Sequence, residues 1–193
     1  MKKSFYAYMS RLKHIKRWGL MRNTMEENVA EHSYEVVLIA HALCVINNEI
    51  LGGHADETQV LLAAVYHETG EAITGDLPTP IKYFDDDITQ AYKKIEAHAG
   101  QTMVRMLPEK MRPRIAPYVL GELSDETKRI VKAADRICAY IKCIEEKKSG
   151  NTEFDKAGVR VLAAIEAMDM PEVKYFMRNF MEGYSLTLDE LNE

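Results

Sequence analysis

A chain of 193 residues, 47% hydrophobic and 28% charged, has the composition of one ordinary globular domain, long enough to bury a core without disulfides. Its net charge of −5 and single short basic stretch, Arg11-Leu-Lys-His-Ile-Lys-Arg17, argue against long nucleic acid as a partner but leave room for a small phosphate ligand. The longest uncharged apolar run, Val36 to Ile46, is too short for a membrane span, and Arg11 and Lys13 interrupt any leader-like start; the expectation is a cytoplasmic protein without a membrane segment. The three cysteines, Cys44, Cys138 and Cys143, form no Cys-x-x-Cys pair and suit buried thiols in a reducing compartment.

Helical periodicity dominates and strand-like alternation is weak, with no repeat or low-complexity linker. Residues 4–16 read as a short amphipathic helix with Phe5, Leu12 and Ile15 on one side, followed by a connector from Arg17-Trp18 to Asn23-Thr24. Asn28-Val-Ala-Glu31 has capping-box spacing and starts a helix to about Asn47, with His32, Val36, Ile39, Leu43 and Ile46 on its inner face. Asp56-Glu-Thr-Gln59 opens a helix over Val60–Glu68 that turns His67 inward.

Residues 75–81 hold Pro78 and Pro80, which predict a stiff loop with no helix across Leu77 and Thr79. A long helix is expected from Asp85 to Met106 with an Ile88, Tyr92, Ile95, Ala99, Met103 stripe, then a proline-jointed connection through Gly121. Ser124-Asp-Glu starts a helix ending near Ser149, carrying Ile130, Val131, Ala134, Ile137, Cys138 and Ile141 inward. Asp135 falls inside that apolar pattern and needs a partner; Lys132 and Arg136 are expected on other faces. Helices over Thr152–Met168 and Pro171–Gly183 complete a single all-α domain of orthogonally packed helices, residues 1–193.

Three helices thus each present a potential ligand inward: His32, His67 with Glu68, and Asp135. Two imidazoles and two carboxylates suit one divalent transition metal, cobalt, manganese, zinc or iron. An inward histidine is equally at home hydrogen-bonded in a core, and spacing does not prove convergence. Glu71 follows His67 by four residues, on the same face if the helix persists, and Asp76 lies in the stiff loop. His14, His41, His54 and His98 read as structural or surface residues.

A lone helical His, a His-acid dyad ending another helix and a distant helical Asp resemble the HD-domain metal-dependent phosphohydrolases. Within them, Arg17-Trp18, Asn28-Val-Ala-Glu-His32-Ser, Tyr66-His67, Glu71, Gly75-Asp-Leu-Pro-Thr-Pro-Ile-Lys-Tyr83 and Lys132-Ala-Ala-Asp135-x-x-Cys-Ala-Tyr-x-Lys-Cys143 resemble the bacterial 5′-deoxynucleotidase family over nearly the whole chain. The resemblance implies an HD-domain bundle that hydrolyses deoxyribonucleoside 5′-monophosphates to deoxynucleoside and phosphate, as a homodimer. It implies His32, His67, Glu68 and Asp135 as metal ligands and Glu71 and Asp76 as catalytic acids and bases. Substrate would meet Arg17, Trp18, Glu68, Asp76, Leu77, Pro78, Thr79 and Asp135. One departure stands out: the family dyad is His-Asp, whereas His67-Glu68 carries its carboxylate about 1.5 Å further out. Other expectations consistent with the residues are a different HD-type nucleotide phosphohydrolase, or a nucleotide-binding protein that has lost catalysis.

Overall fold

In the computed structural model, residues 3–82 and 84–192 are described, with the side chain of Thr79 excepted. Ten α-helices occur among them: α1 Phe5–Met9, α2 Val29–Val45, α3 Glu57–Tyr66, α4 Glu71–Thr74, α5 Thr79–Lys82, α6 Asp86–Arg105, α7 Arg112–Val119, α8 Asp125–Lys148, α9 Asp155–Glu166 and α10 Pro171–Phe180. No β-strand occurs among the described residues, only an isolated antiparallel bridge between Lys16 and Asn28.

The helix starts follow their caps. The Asn28 side chain accepts from the backbone N–H groups of Ala30 and Glu31, and Glu31 accepts in return from the Asn28 N–H. Asp56, Asp85 and Ser124 cap α3, α6 and α8 in the same manner; each such cap is worth about 1 kcal/mol. The larger energy lies in the core, where α2 packs between α3 and α8. Val36, Ile39, Leu43 and Ile46 of the α2 segment meet Ile130, Val131, Ala134, Ile137, Cys138 and Ile141 of α8, all buried. Burying one such Leu or Ile contributes about 1.5–3 kcal/mol. By length and composition Val29–Ile50 would pass for a membrane span, but its apolar face is consumed by this core, and His32 on that face is fully buried.

Several boundaries differ from the periodic reading. Residues 4–16 do not form one helix: α1 ends at Met9 and a 3-10 turn over Leu12–His14 follows. The chain then joins the Lys16–Asn28 bridge, which sets the direction of the connector. The proline-jointed segment contains α7, with Pro113 in its first turn, where a missing N–H costs nothing, and Pro117 inside it. Thr79–Lys82 is helical because Pro80 stands in a first turn rather than an interior. The expected stripe of α6 holds only in part, since Ile88 and Ile95 are exposed while Tyr92, Ala99 and Met103 are buried. The three cysteines are buried free thiols, and burial pushes Cys44 and Cys143 up to about 11. His14, His41, His54 and His98 are all exposed.

Candidate metal centre and active site

The four ligand candidates converge. One donor atom from each of His32 (α2), His67 and Glu68 (the turn after α3) and Asp135 (α8) lies within 4.8 Å of the other three. His32 Nε2 is 3.2 Å from Asp135 Oδ1, and His67 Nε2 is 3.5 Å from Glu68 Oε1. His67 is the C-cap of α3, and its Nδ1 is 2.7 Å from the Ala64 carbonyl. That contact places the proton on Nδ1 and leaves the Nε2 lone pair directed into the cluster. Among the described residues, His67 Nε2 is buried without a hydrogen-bond partner, and neither ring nitrogen of His32 has an aligned one. Orphaned imidazole nitrogens beside two carboxylates are the donor set of a divalent transition metal. Ligand distances of about 2.0–2.2 Å require donor pairs no more than about 4.4 Å apart, so a small contraction closes the set and the residues fit such an ion.

Charge tuning follows the same geometry. Burial lowers the basicity of His67 and keeps it neutral, the form that ligates. For Asp135, burial opposes ionisation, but His32 and the Lys132 charge outweigh it and hold the carboxyl well below the usual range. Lys132 donates to Asp135 Oδ2 at 2.6 Å; contrary to the helical-wheel expectation, its flexible stem reaches forward one turn to its neighbour. His32, by contrast, is raised, burial notwithstanding, by Asp135 and Glu27.

Beyond His67 the helix tightens into a turn: Thr69 N–H donates to Tyr66 O and Glu71 N–H to Glu68 O. Glu71 therefore does not repeat the His67 position one α-helical turn on, but it begins α4 beside Glu68 all the same. Burial, then the charges of Glu68 and Asp76, push the Glu71 carboxyl up to about 9. Gly75 ends α4 at φ 72° and ψ 170°, a region nearly closed to other residues, and it delivers Asp76 to the same cluster. Asp76 is raised by burial against the pull of Arg17. A cavity of about 620 Å³ opens over His67, Glu68, Glu71 and Asp135, walled further out by Lys82, Tyr118 and Lys128. Leu77 and Pro78 are half-buried beside Asp76 and off the cavity wall; the Thr79 side chain and Tyr83 lie outside the described residues.

Arg17 reaches this cluster from the connector. Its Nη1 is 3.9 Å from Glu68 Oε1 and its Nε 3.2 Å from Glu27 Oε1. Trp18, at φ 55°, packs edge-on to Phe154 with ring centroids 5.3 Å apart and donates from Nε1 to Glu27 Oε2 at 3.0 Å. Two features escaped the periodic reading. Glu27 lies outside any helix; the only hint is that Lys16-Arg17 and Glu26-Glu27 are charge-complementary pairs flanking a turn-like connector. The other is the buried pair of Lys142 and Glu146 on α8, which fastens the same connector through Thr24 and Met25.

The fold and this site define a class. An HD-domain phosphohydrolase from Listeria innocua superposes with a TM-score of 0.82 at 25% identity, covering 94% of this chain and 88% of that one. The cyanophage S-2L HD phosphohydrolase DatZ, solved with dA and one catalytic Zn2+ ion, shares the fold at a TM-score of 0.67 and 19% identity, over 92% and 96% of the two chains. The molecule is an all-α HD-domain bundle of the phosphate-ester hydrolase class.

Residues 4–184 match the model of the 5′-deoxynucleotidase YfbR-like family, and the chain belongs to that family. The 5′-deoxynucleotidases YfbR of Shigella boydii serotype 18 and Escherichia coli K12 are each 48% identical to it over 190 residues, which is 98% of this chain and 96% of theirs.

Proposed function

We propose that this chain hydrolyses deoxyribonucleoside 5′-monophosphates to deoxynucleoside and inorganic phosphate, using one divalent transition metal held by His32, His67, Glu68 and Asp135. The observation that carries the reading is the convergence of that donor set with Arg17 and the Glu71–Asp76 pair in a chain of this family. A divalent ion bound there would acidify water, polarise the phosphate and offset the Glu68 and Asp76 charges that, after burial, raise the Glu71 carboxyl.

The chain's own groups then divide the work. Arg17 directs its guanidinium fork to the phosphate oxygens from a site where its side chain is only 11% exposed, so its bonds are little screened. Trp18 walls the phosphate and orients Arg17. Glu71 takes the proton of the attacking water. Asp76, whose burial favours its protonated form, returns a proton to the departing 5′ oxygen. The deoxy preference is supported by the family match and would follow if the wall built from Asp76, Leu77 and Pro78 leaves no room or partner for a 2′-hydroxyl.

The glutamate of the His67-Glu68 dyad reaches the cluster by its extra methylene, with Oε1 beside both His67 and Arg17. That favours ligation by Glu68 over the loss of the site. The buried free thiols accord with a cytoplasmic enzyme, which acts as a homodimer. Phosphate release from matched deoxy- and ribonucleoside monophosphates, over a panel of divalent ions, tests the reading. Selective deoxynucleotide turnover that chelation abolishes is expected. Equal turnover of both sugars removes the deoxy preference, and turnover of neither overturns the catalytic reading.

A further inference from the structure

We propose that Glu27 is a positioning residue that locks the metal ligand His32 and the phosphate-binding Arg17 into one frame; the inference rests on the site reading above. The backbone brings the groups together. In the antiparallel bridge of Lys16 with Asn28, Arg17 faces Glu27, with Arg17 N–H donating to Glu27 O at 2.9 Å and Val29 N–H to Ile15 O at 2.9 Å. His32 begins its climb into the core one turn later.

The Glu27 side chain is 12% exposed, and its carboxylate faces three donors with three different duties. Oε2 accepts from Trp18 Nε1–H at 3.0 Å. Oε1 lies 3.2 Å from Arg17 Nε and 3.4 Å from His32 Nδ1. The latter two contacts are at ion-pair distance but off the line of a hydrogen bond, and neither nitrogen has another hydrogen-bond partner among the described residues. Glu27 is thus the acceptor at hand for both.

The chemistry makes that role specific. If His32 presents Nε2 to an ion beside Asp135, its Nδ1 must carry the proton, and an acceptor there fixes the ring's tautomer and tilt. An acceptor on Arg17 Nε fixes the plane of the guanidinium and leaves its terminal nitrogens for an anion. The bond to Trp18 helps hold that residue at a positive φ, which a bulky side chain rarely adopts. A glutamine of the same size cannot replace this carboxylate. All three partners are donors, and the amide would turn its own NH2 toward one side whichever way it flips.

The test compares wild type with Glu27→Gln, Arg17→Lys and His32→Ala. It measures the melting temperature of the chelated proteins, Co2+ affinity by titration calorimetry, and the affinity of the Co2+-loaded proteins for inorganic phosphate. Glu27→Gln is expected to weaken Co2+ by roughly 10–100-fold and phosphate several-fold, with the melting temperature unchanged. Arg17→Lys should weaken phosphate alone, and His32→Ala should weaken Co2+. Wild-type affinities in Glu27→Gln would overturn the inference, and so would loss of phosphate alone, which reduces Glu27 to a partner of Arg17. A steep fall in the melting temperature of chelated Glu27→Gln would also overturn it, by assigning Glu27 to the fold. A wild type that binds no Co2+ would overturn the site reading and this inference together, so the two failures are distinguishable.

Discussion

Replacing Glu146 by Ala should cost this protein more than any single change at its surface. Glu146, 1% exposed, accepts from Lys142 Nζ at 2.6 Å, Thr24 Oγ1 at 2.7 Å, Asn151 Nδ2 at 2.7 Å and the Thr24 N–H at 2.9 Å. Burial opposes its ionisation, but those donors outweigh it and hold the carboxyl well below its ordinary range. Alanine strands the Lys142 ammonium, itself buried, at a cost of about 3–5 kcal/mol. In a domain of this length that lowers the melting temperature by roughly 6–20 °C. Lys142→Met should cost less, since the carboxylate keeps its three other named donors, two from Thr24 and one from Asn151, and Lys142→Met with Glu146→Leu should recover part of the loss. Because folding lowers the pKa of Glu146, its contribution is present above the unfolded value near 4.5 and lost as pH falls below it. Urea unfolding of the four proteins at pH 7 and pH 4 measures all of this. A Glu146→Ala variant within about 1 kcal/mol of wild type would show that water replaces the network and would refute the argument.

The remaining predictions concern the site. Arg17→Lys keeps the charge but loses the planar fork, so kcat/KM should fall well over tenfold at nearly unchanged stability; a steady-state assay beside a melting curve decides it. Glu68→Gln should strip the metal and Glu68→Asp should retain it, and elemental analysis after identical purification reads both; equal metal in wild type and Glu68→Gln would remove Glu68 from the ligand set. Glu71→Gln should lower kcat by about 10²–10⁴. In chelated protein it should also be stabilising: a carboxyl raised to about 9 contributes stability that is complete below about pH 4.5 and lost as pH rises toward 9, by at most about 1.4 kcal/mol per unit. The advantage of Glu71→Gln in urea should therefore be larger at pH 8 than at pH 5, and an advantage independent of pH would contradict the burial argument.

The connector between Arg17 and Asn28 shows why the site depends on parts remote in sequence. Trp18 rests on Phe154 and Thr24 is held by Glu146, so the arm that carries Arg17 is anchored to the far end of α8. Asp135 lies three turns earlier on that same helix. One rigid element therefore fixes the distance between a proposed metal ligand and the anchor of the arm proposed to bind phosphate, which is the arrangement a reaction sensitive to sub-ångström placement needs.

The sequence by itself determined what is local or periodic. The Asn28–Glu31 capping box, the Asp56, Asp85 and Ser124 caps and the inward faces of α2 and α8 are all set by residues within a few positions of one another. A pattern of period 3.6 also states which way His32, His67 and Asp135 must point. Tertiary structure decided whether those inward faces meet, because no spacing relates residue 32 to residue 135. It also decided the helix breaks where prolines permit more than one outcome, as in α5 and α7. Glu27 belongs wholly to this second kind. It sits in a connector without periodicity, and only the bridge of Lys16 with Asn28 turns it toward Arg17 and His32; a contact made by chain reversal leaves no period in the sequence to read.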